Sequence, residues 1–124
     1  MSVRGIRGAT TISEDSAEAI LVATRELLLA ILEANPSLQP NDIASAFFTV
    51  TDGLRAVYPA QAARELGWEE VPLMCAQEIP VLGSVENCIR VLITWNTDLS
   101  QADVHHIYLH EATRLRPDLV QVRS

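Results

Sequence analysis

The chain has 124 residues, 48% of them hydrophobic, and a formal net charge of −7. That is the length of one domain, 1–124, with enough apolar content for a core, so wholesale disorder is excluded. The acidic balance argues against sequence-independent nucleic-acid binding, and neither a transmembrane run nor a signal-peptide core is present, so no membrane partner is expected and the expected compartment is the cytoplasm.

Residues 3–11 alternate weakly through Val3, Ile6 and Ala9 and carry Gly5 and Gly8, which predicts a strand with a close backbone approach or a bulge. Asp15-Ser16-Ala17-Glu18 reads as a D-x-x-E helix start. The helix should run to about Ala34 on a face of Ile20, Thr24, Leu27, Leu28 and Ile31, widened by Leu21 and Leu32, and stop at Asn35-Pro36. Gln39-Pro40-Asn41-Asp42 suits a short helical turn, and β-branched and aromatic residues over 46–51 predict a buried strand. Pro59 to Leu66 reads as a short helix ended by Gly67. Further strands are predicted over 71–76, 87–97 and 105–110, followed by a tail over 114–122 that contains Pro117.

This order, β-α-β-α-β-β-β, is α+β (mixed α/β): a mixed β-sheet packed on one long helix. One helix covers one face of such a sheet. The other face is also apolar and needs cover, which points to oligomerisation.

All nine basic residues are arginines. Genome composition or a hot habitat would produce that bias, yet arginine also grips carboxylates bidentately and stays charged when desolvated. Arg90 lies inside Cys88-Ile89-Arg90-Val91-Leu92-Ile93, the most apolar strand, where an unpaired charge is costly. Alternation puts it on one face with Cys88, Leu92 and Thr94. It is either a site cation or an outward strand arginine in a structural ion pair. Glu78 follows the third strand as a site carboxylate or an ordinary loop residue, and Arg7 is a site cation or a surface arginine at a strand end. Tyr108 is a site residue or core packing.

Cys75 and Cys88 form no disulfide framework, and in a reducing compartment both are free thiols. His105, His106 and His110 have no metal-ligand spacing, and no metal or other cofactor is expected. The nucleotide-binding, nucleophile-elbow and metalloprotease motifs are all missing. Several arginines beside few candidate bases describe a site that holds a small anion.

Further blocks carry a family resemblance: R-G-I-R-G-A-T-T at 4–11, A-V-Y-P-A at 56–60, A-R-E-L at 63–66, V-P-L-M-C-A-Q-E at 71–78, C-I-R-V at 88–91, H-I-Y-L at 106–109 and L-R-P-D-L at 115–119. In this order and spacing the chain resembles the AroH class of chorismate mutases, small bacterial enzymes that convert chorismate to prephenate. The resemblance implies a pseudo-α/β-barrel homotrimer with an active site in each cleft between subunits. It implies that Arg7 holds a substrate carboxylate, Glu78 contacts the ring hydroxyl, Arg90 sits beside the ether oxygen and Tyr108 seats the enolpyruvyl side chain. Tyr58, Arg64, Met74, Cys75, Leu115 and Arg116 match positions that line the cleft or its mouth. The chain departs from the family where lysine is frequent at 61, here Gln61, and phenylalanine at 58, here Tyr58. A trimeric imine or enamine deaminase and a non-catalytic binding module for an aromatic-pathway acid are the competing readings.

Overall fold

The computed structural model describes residues 2–115. Five strands form one mixed sheet. They are β1 (Ser2–Thr11), β2 (Ile43–Val50), β3 (Leu73–Gln77), β4 (Cys88–Thr97) and β5 (Ile107–Tyr108). The spatial order is β3-β2-β4-β1-β5. β4 is antiparallel to both β1 and β2, whereas β3 runs parallel to β2 and β5 parallel to β1. Two α-helices, α1 (Ala17–Ala34) and α2 (Ala60–Glu65), join the first three strands.

The expected face of α1 is the buried one: Ile20, Thr24, Leu27, Leu28 and Ile31 are all sealed from solvent, with Ala23 beside them. Its start differs from the expected one. Ser16 takes the extended N-cap conformation, and its hydroxyl accepts from the Ala19 N–H at 3.0 Å. The Asp15 carboxylate instead accepts from the backbone N–H groups of Arg55 and Ala56, tying the loop before α2 to the start of α1. At the other end, buried Asn35 clamps α1 to the approach to β5. Its Nδ2 donates to the carbonyls of Ile31 and His105, and its Oδ1 accepts from the His105 N–H.

α2 ends as the Gly67 signal predicts. Gly67 has φ of 92°, its N–H donates to the Arg64 carbonyl, and the Trp68 N–H reaches back to Ala63. That turn drives Trp68 into the core beside Ala63. The core lies between the helices and one face of the sheet, where Ile6, Phe48, Val91, Ile93 and Trp95 meet Leu27, Leu28 and Ile31.

Helix and sheet approach closely at Gly8. A Cβ there would sit 2.8 Å from Ile31 Cδ1, 3.1 Å from Val91 Cγ1 and 3.2 Å from Leu27 Cδ1. The glycine therefore serves the packing of α1 on the middle of β1, with no bulge in the β1–β4 register.

Two expectations for the C-terminal part change. The strand expected over 105–110 shrinks to Ile107–Tyr108, because Asn35 takes the His105 N–H and carbonyl and a 3₁₀ turn begins at His110. The expected tail starts inside that turn, His110–Arg114, and continues through Leu115; from Arg116 on it lies outside the described residues.

Gly8→Ala should destabilise the protein by about 1–3 kcal/mol, because the new methyl must displace α1 or β4 side chains. Denaturant unfolding of the variant checks this; an unchanged midpoint would show that the helix can lift off the sheet freely.

Candidate active site

A two-residue side-chain period governs β4. Ile89, Val91, Ile93 and Trp95 point into the helix-covered core and are fully or nearly fully buried. Arg90, Leu92 and Thr94 point to the opposite, open face, as alternation predicts, and remain partly accessible. Cys88 shares that face but is buried, because Ala9, Tyr108 and Ala112 pack around it.

Sheet register then gathers the other candidates. Arg90 pairs with Ala9 on one side and Thr49 on the other. Arg7 pairs with Leu92, which sets it diagonally from Arg90, at a Cβ separation of roughly 7 Å. Tyr108 pairs with Ala9 across the parallel β1–β5 ladder. The Glu78 N–H donates to the Val50 carbonyl at 2.8 Å, which prolongs the β2–β3 pairing by one step. A cavity of about 240 Å³ on the open face is lined by Arg7, Thr49, Glu78, Arg90 and Tyr108, with Phe47 and Leu92 as apolar walls.

Inside it, the Thr49 hydroxyl donates to Glu78 Oε2 at 2.6 Å. The Arg90 guanidinium reaches Glu78 Oε1 only at 3.5 Å. Among the described residues no ion pair engages Arg7. Two guanidinium groups thus face one carboxylate, leaving a local excess of positive charge on an acidic protein. The backbone of Arg7 is anchored from the residue before β5: its N–H donates to His106 Nδ1 at 2.9 Å.

The remaining candidates fall elsewhere. Cys75 pairs with Phe48 and so faces the helices, on the side of the sheet away from Arg90. It lines a separate cavity of about 520 Å³ with the exposed Tyr58, near the start of α2. Arg64 is exposed on α2. Gln61, where the family often has lysine, donates to Glu65 one turn on, at 3.3 Å. Met74 pairs with Phe47 and is exposed on the open face. Leu115 packs at the edge of the Ala9–Cys88–Tyr108–Ala112 cluster. Sequence reading missed Thr49: a threonine in a strand carries no signal until β2 is known to lie in register beside β4.

The three histidines occupy separate positions. His105 bonds through its backbone to Asn35, His106 accepts from Arg7, and His110 Nε2 meets Glu26 Oε1 at 3.0 Å. Neither cysteine is in a disulfide, and the sheet separates them. Burial pushes the Cys88 thiol up to about 11, with Glu78 adding to the rise and Arg90 opposing it. No helix among the described residues is long and apolar enough to cross a membrane.

The fold and this cavity, with two arginines beside one carboxylate, describe a small α+β protein whose open sheet face is suited to an anion. The family model for chorismate mutase type I matches residues 3–119, and the chain belongs to that family. It is 56% identical over 117 residues to the chorismate mutase AroH of Thermus thermophilus, covering 94% of this chain and 96% of that one. It is 47% identical over 120 residues to the chorismate mutase AroH of Bacillus subtilis, covering 96% and 94%. The structure matches the chorismate mutase from Clostridium thermocellum with a TM-score of 0.86 at 47% identity, over 89% of this chain and 97% of the other.

The folded Cys88 thiol holds its proton more tightly than the unfolded one, whose ordinary value is 9.0. Its contribution to stability is therefore complete below about pH 9 and is lost as the pH rises towards about 11. Thermal melts should show a smaller fall between those two pH values for Cys88→Ala than for the parent. At pH 8, a Cys75→Ser variant should take up no thiol reagent until it is unfolded.

Proposed function

We propose that this chain, as a single domain, converts chorismate to prephenate in the cytoplasm, working as a homotrimer of pseudo-α/β-barrel form with its active sites between subunits. It is an isomerase by family. The observation that carries the site assignment is the meeting of Arg7, Glu78, Arg90 and Tyr108 in one cavity from four separate stretches of chain.

The rearrangement breaks one C–O bond as one C–C bond forms. It requires neither a proton transfer nor a covalent intermediate. Two effects are then open to the protein: holding the reactive conformer and stabilising the charge that develops. Arg7 grips a carboxylate and, with Tyr108, keeps the enolpyruvyl arm folded over the ring. Arg90 faces the ether oxygen, which gains negative charge as its bond lengthens. Glu78 faces the ring and its hydroxyl. A millionfold acceleration needs about 8 kcal/mol. One preorganised charged donor supplies roughly 3–4 kcal/mol of that by analogy with oxyanion holes, and conformer restriction supplies much of the rest.

Two features support a site shared between subunits. Tyr58 and Cys75 line a different cavity from Arg7 and Arg90, so on one chain the family-matched residues form two separate groups. The open face also keeps Val3, Phe47, Met74 and Leu92 exposed, an apolar surface suited to burial against another copy. Tyr58, Arg64, Met74 and Cys75 would come from one subunit and the Arg90 group from its neighbour. Leu115 and Arg116 would lie near the mouth.

Chorismate disappearance, followed by ultraviolet absorbance, tests the reading directly. Arg90→Ala should lower kcat by at least about a hundredfold with an unchanged unfolding curve; near-normal turnover would remove Arg90 from its role. Because no residue has to gain or lose a proton, kcat should stay nearly flat over roughly pH 6 to 9.

Sedimentation should give three chains per particle. Refolding Arg90→Ala chains together with Arg64→Ala chains should yield more activity than either alone, since some interfaces then combine two intact halves. Activity no higher than the better parent would argue for sites contained within one chain.

A further inference from the structure

We propose that Thr49 is a positioning residue that fixes the Glu78 carboxylate and keeps it from closing onto Arg90. The inference rests on the functional reading above and extends it to a residue that reading does not use.

Glu78 leaves the end of β3 with its backbone held by Val50, but its side chain is 29% exposed and has room to turn. Of the polar contacts its carboxylate makes with Thr49 and Arg90, the one to Thr49 is the shorter. The 2.6 Å Thr49–Oε2 separation lies in the range of a charge-assisted O–H···O⁻ bond, whereas Arg90 stands 3.5 Å from Oε1. Thr49 can do this because it is the direct cross-strand partner of Arg90, so its hydroxyl and the guanidinium compete for the same carboxylate. The hydroxyl holds the carboxylate in an orientation where Oε2 faces Thr49 and only Oε1 approaches the guanidinium, at 3.5 Å.

The alternative is chemically attractive. Arginine and carboxylate prefer a bidentate pair with two parallel N–H···O bonds. Such a pair would engage the donors that Arg90 must offer to a substrate oxygen. It would also turn Glu78 away from the ring. A hydroxyl on the neighbouring strand thus keeps the two catalytic charges close but incompletely paired.

The test compares Thr49→Val, which keeps the β-branched shape and removes the hydroxyl, with Thr49→Ser, which keeps the hydroxyl. Thr49→Val should lower kcat by roughly ten- to hundredfold, the range expected for losing a hydrogen bond to a charged group. Thr49→Ser should recover most of that loss. In a Glu78→Gln background, Thr49→Val should cost at most about twofold more, because the group it positions is already altered. A Thr49→Val enzyme within about twofold of the parent would overturn the proposal. So would a Thr49→Ser enzyme as impaired as Thr49→Val, or a full additional loss in the Glu78→Gln background. The parent's own turnover of chorismate separates the two ideas: its absence defeats the functional reading, whereas the valine-to-serine contrast in an active parent decides the role of Thr49.

Discussion

The alternation of side chains along β4 is the constraint on which the rest depends. The strand is flanked on both sides and carries Ile89, Val91, Ile93 and Trp95 into the core. Because the period is two, the same backbone must display Arg90 on the other face. A one-residue slip would bury the guanidinium under α1 and expose four large apolar side chains. The register that fills the core is therefore the register that aims the central cation of the site. Gly8, paired with Val91, lets α1 settle on that same row, so helix packing and site placement rely on one set of contacts.

Charge on the open face is arranged against the protein's overall balance. The chain carries a net −7, yet the cavity holds Arg7 and Arg90 against Glu78 alone. A dianionic ligand entering it meets fixed cations whose positions are set by strand register, and little reorganisation is needed as charge shifts. Arg90 and Glu78 form a long ion pair, 3.5 Å, with the guanidinium still partly exposed to the cavity. Buried Cys88 lies near the same charges but holds its proton and takes no part in them.

The two faces of the sheet differ in how they are completed. The helix face is covered by the chain's own α1 and α2, apart from the cavity beside Cys75. The open face is covered at one end by the 3₁₀ turn His110–Arg114, where Ala112 closes over Ala9, Cys88 and Tyr108. The remainder leaves Phe47, Met74 and Leu92 accessible around the cavity. Apolar walls next to fixed charges would exclude water if a neighbouring copy closed over them as proposed, which would strengthen each electrostatic contact inside.

Much of this was legible in the residues. The face of α1, the Gly67 stop, the inward and outward sides of β4 and the family blocks around Arg7, Glu78 and Arg90 all rest on local chemistry: helical period, strand period, turn preference and motif. Register was not legible, because it depends on which strands become neighbours. That is why Thr49 carried no signal, why Cys75 falls on the helix side of the sheet, and why the cap of α1 is Ser16 while Asp15 serves a loop forty residues away. It is also why β5 is only two residues long: Asn35, distant in sequence, takes the backbone groups that would have extended it. Local chemistry along the chain dictates which residues can bear charge, bury surface or end a helix. Which of them meet is settled by the folded arrangement, since a meeting across strands is set by the long-range pairing that buries the core.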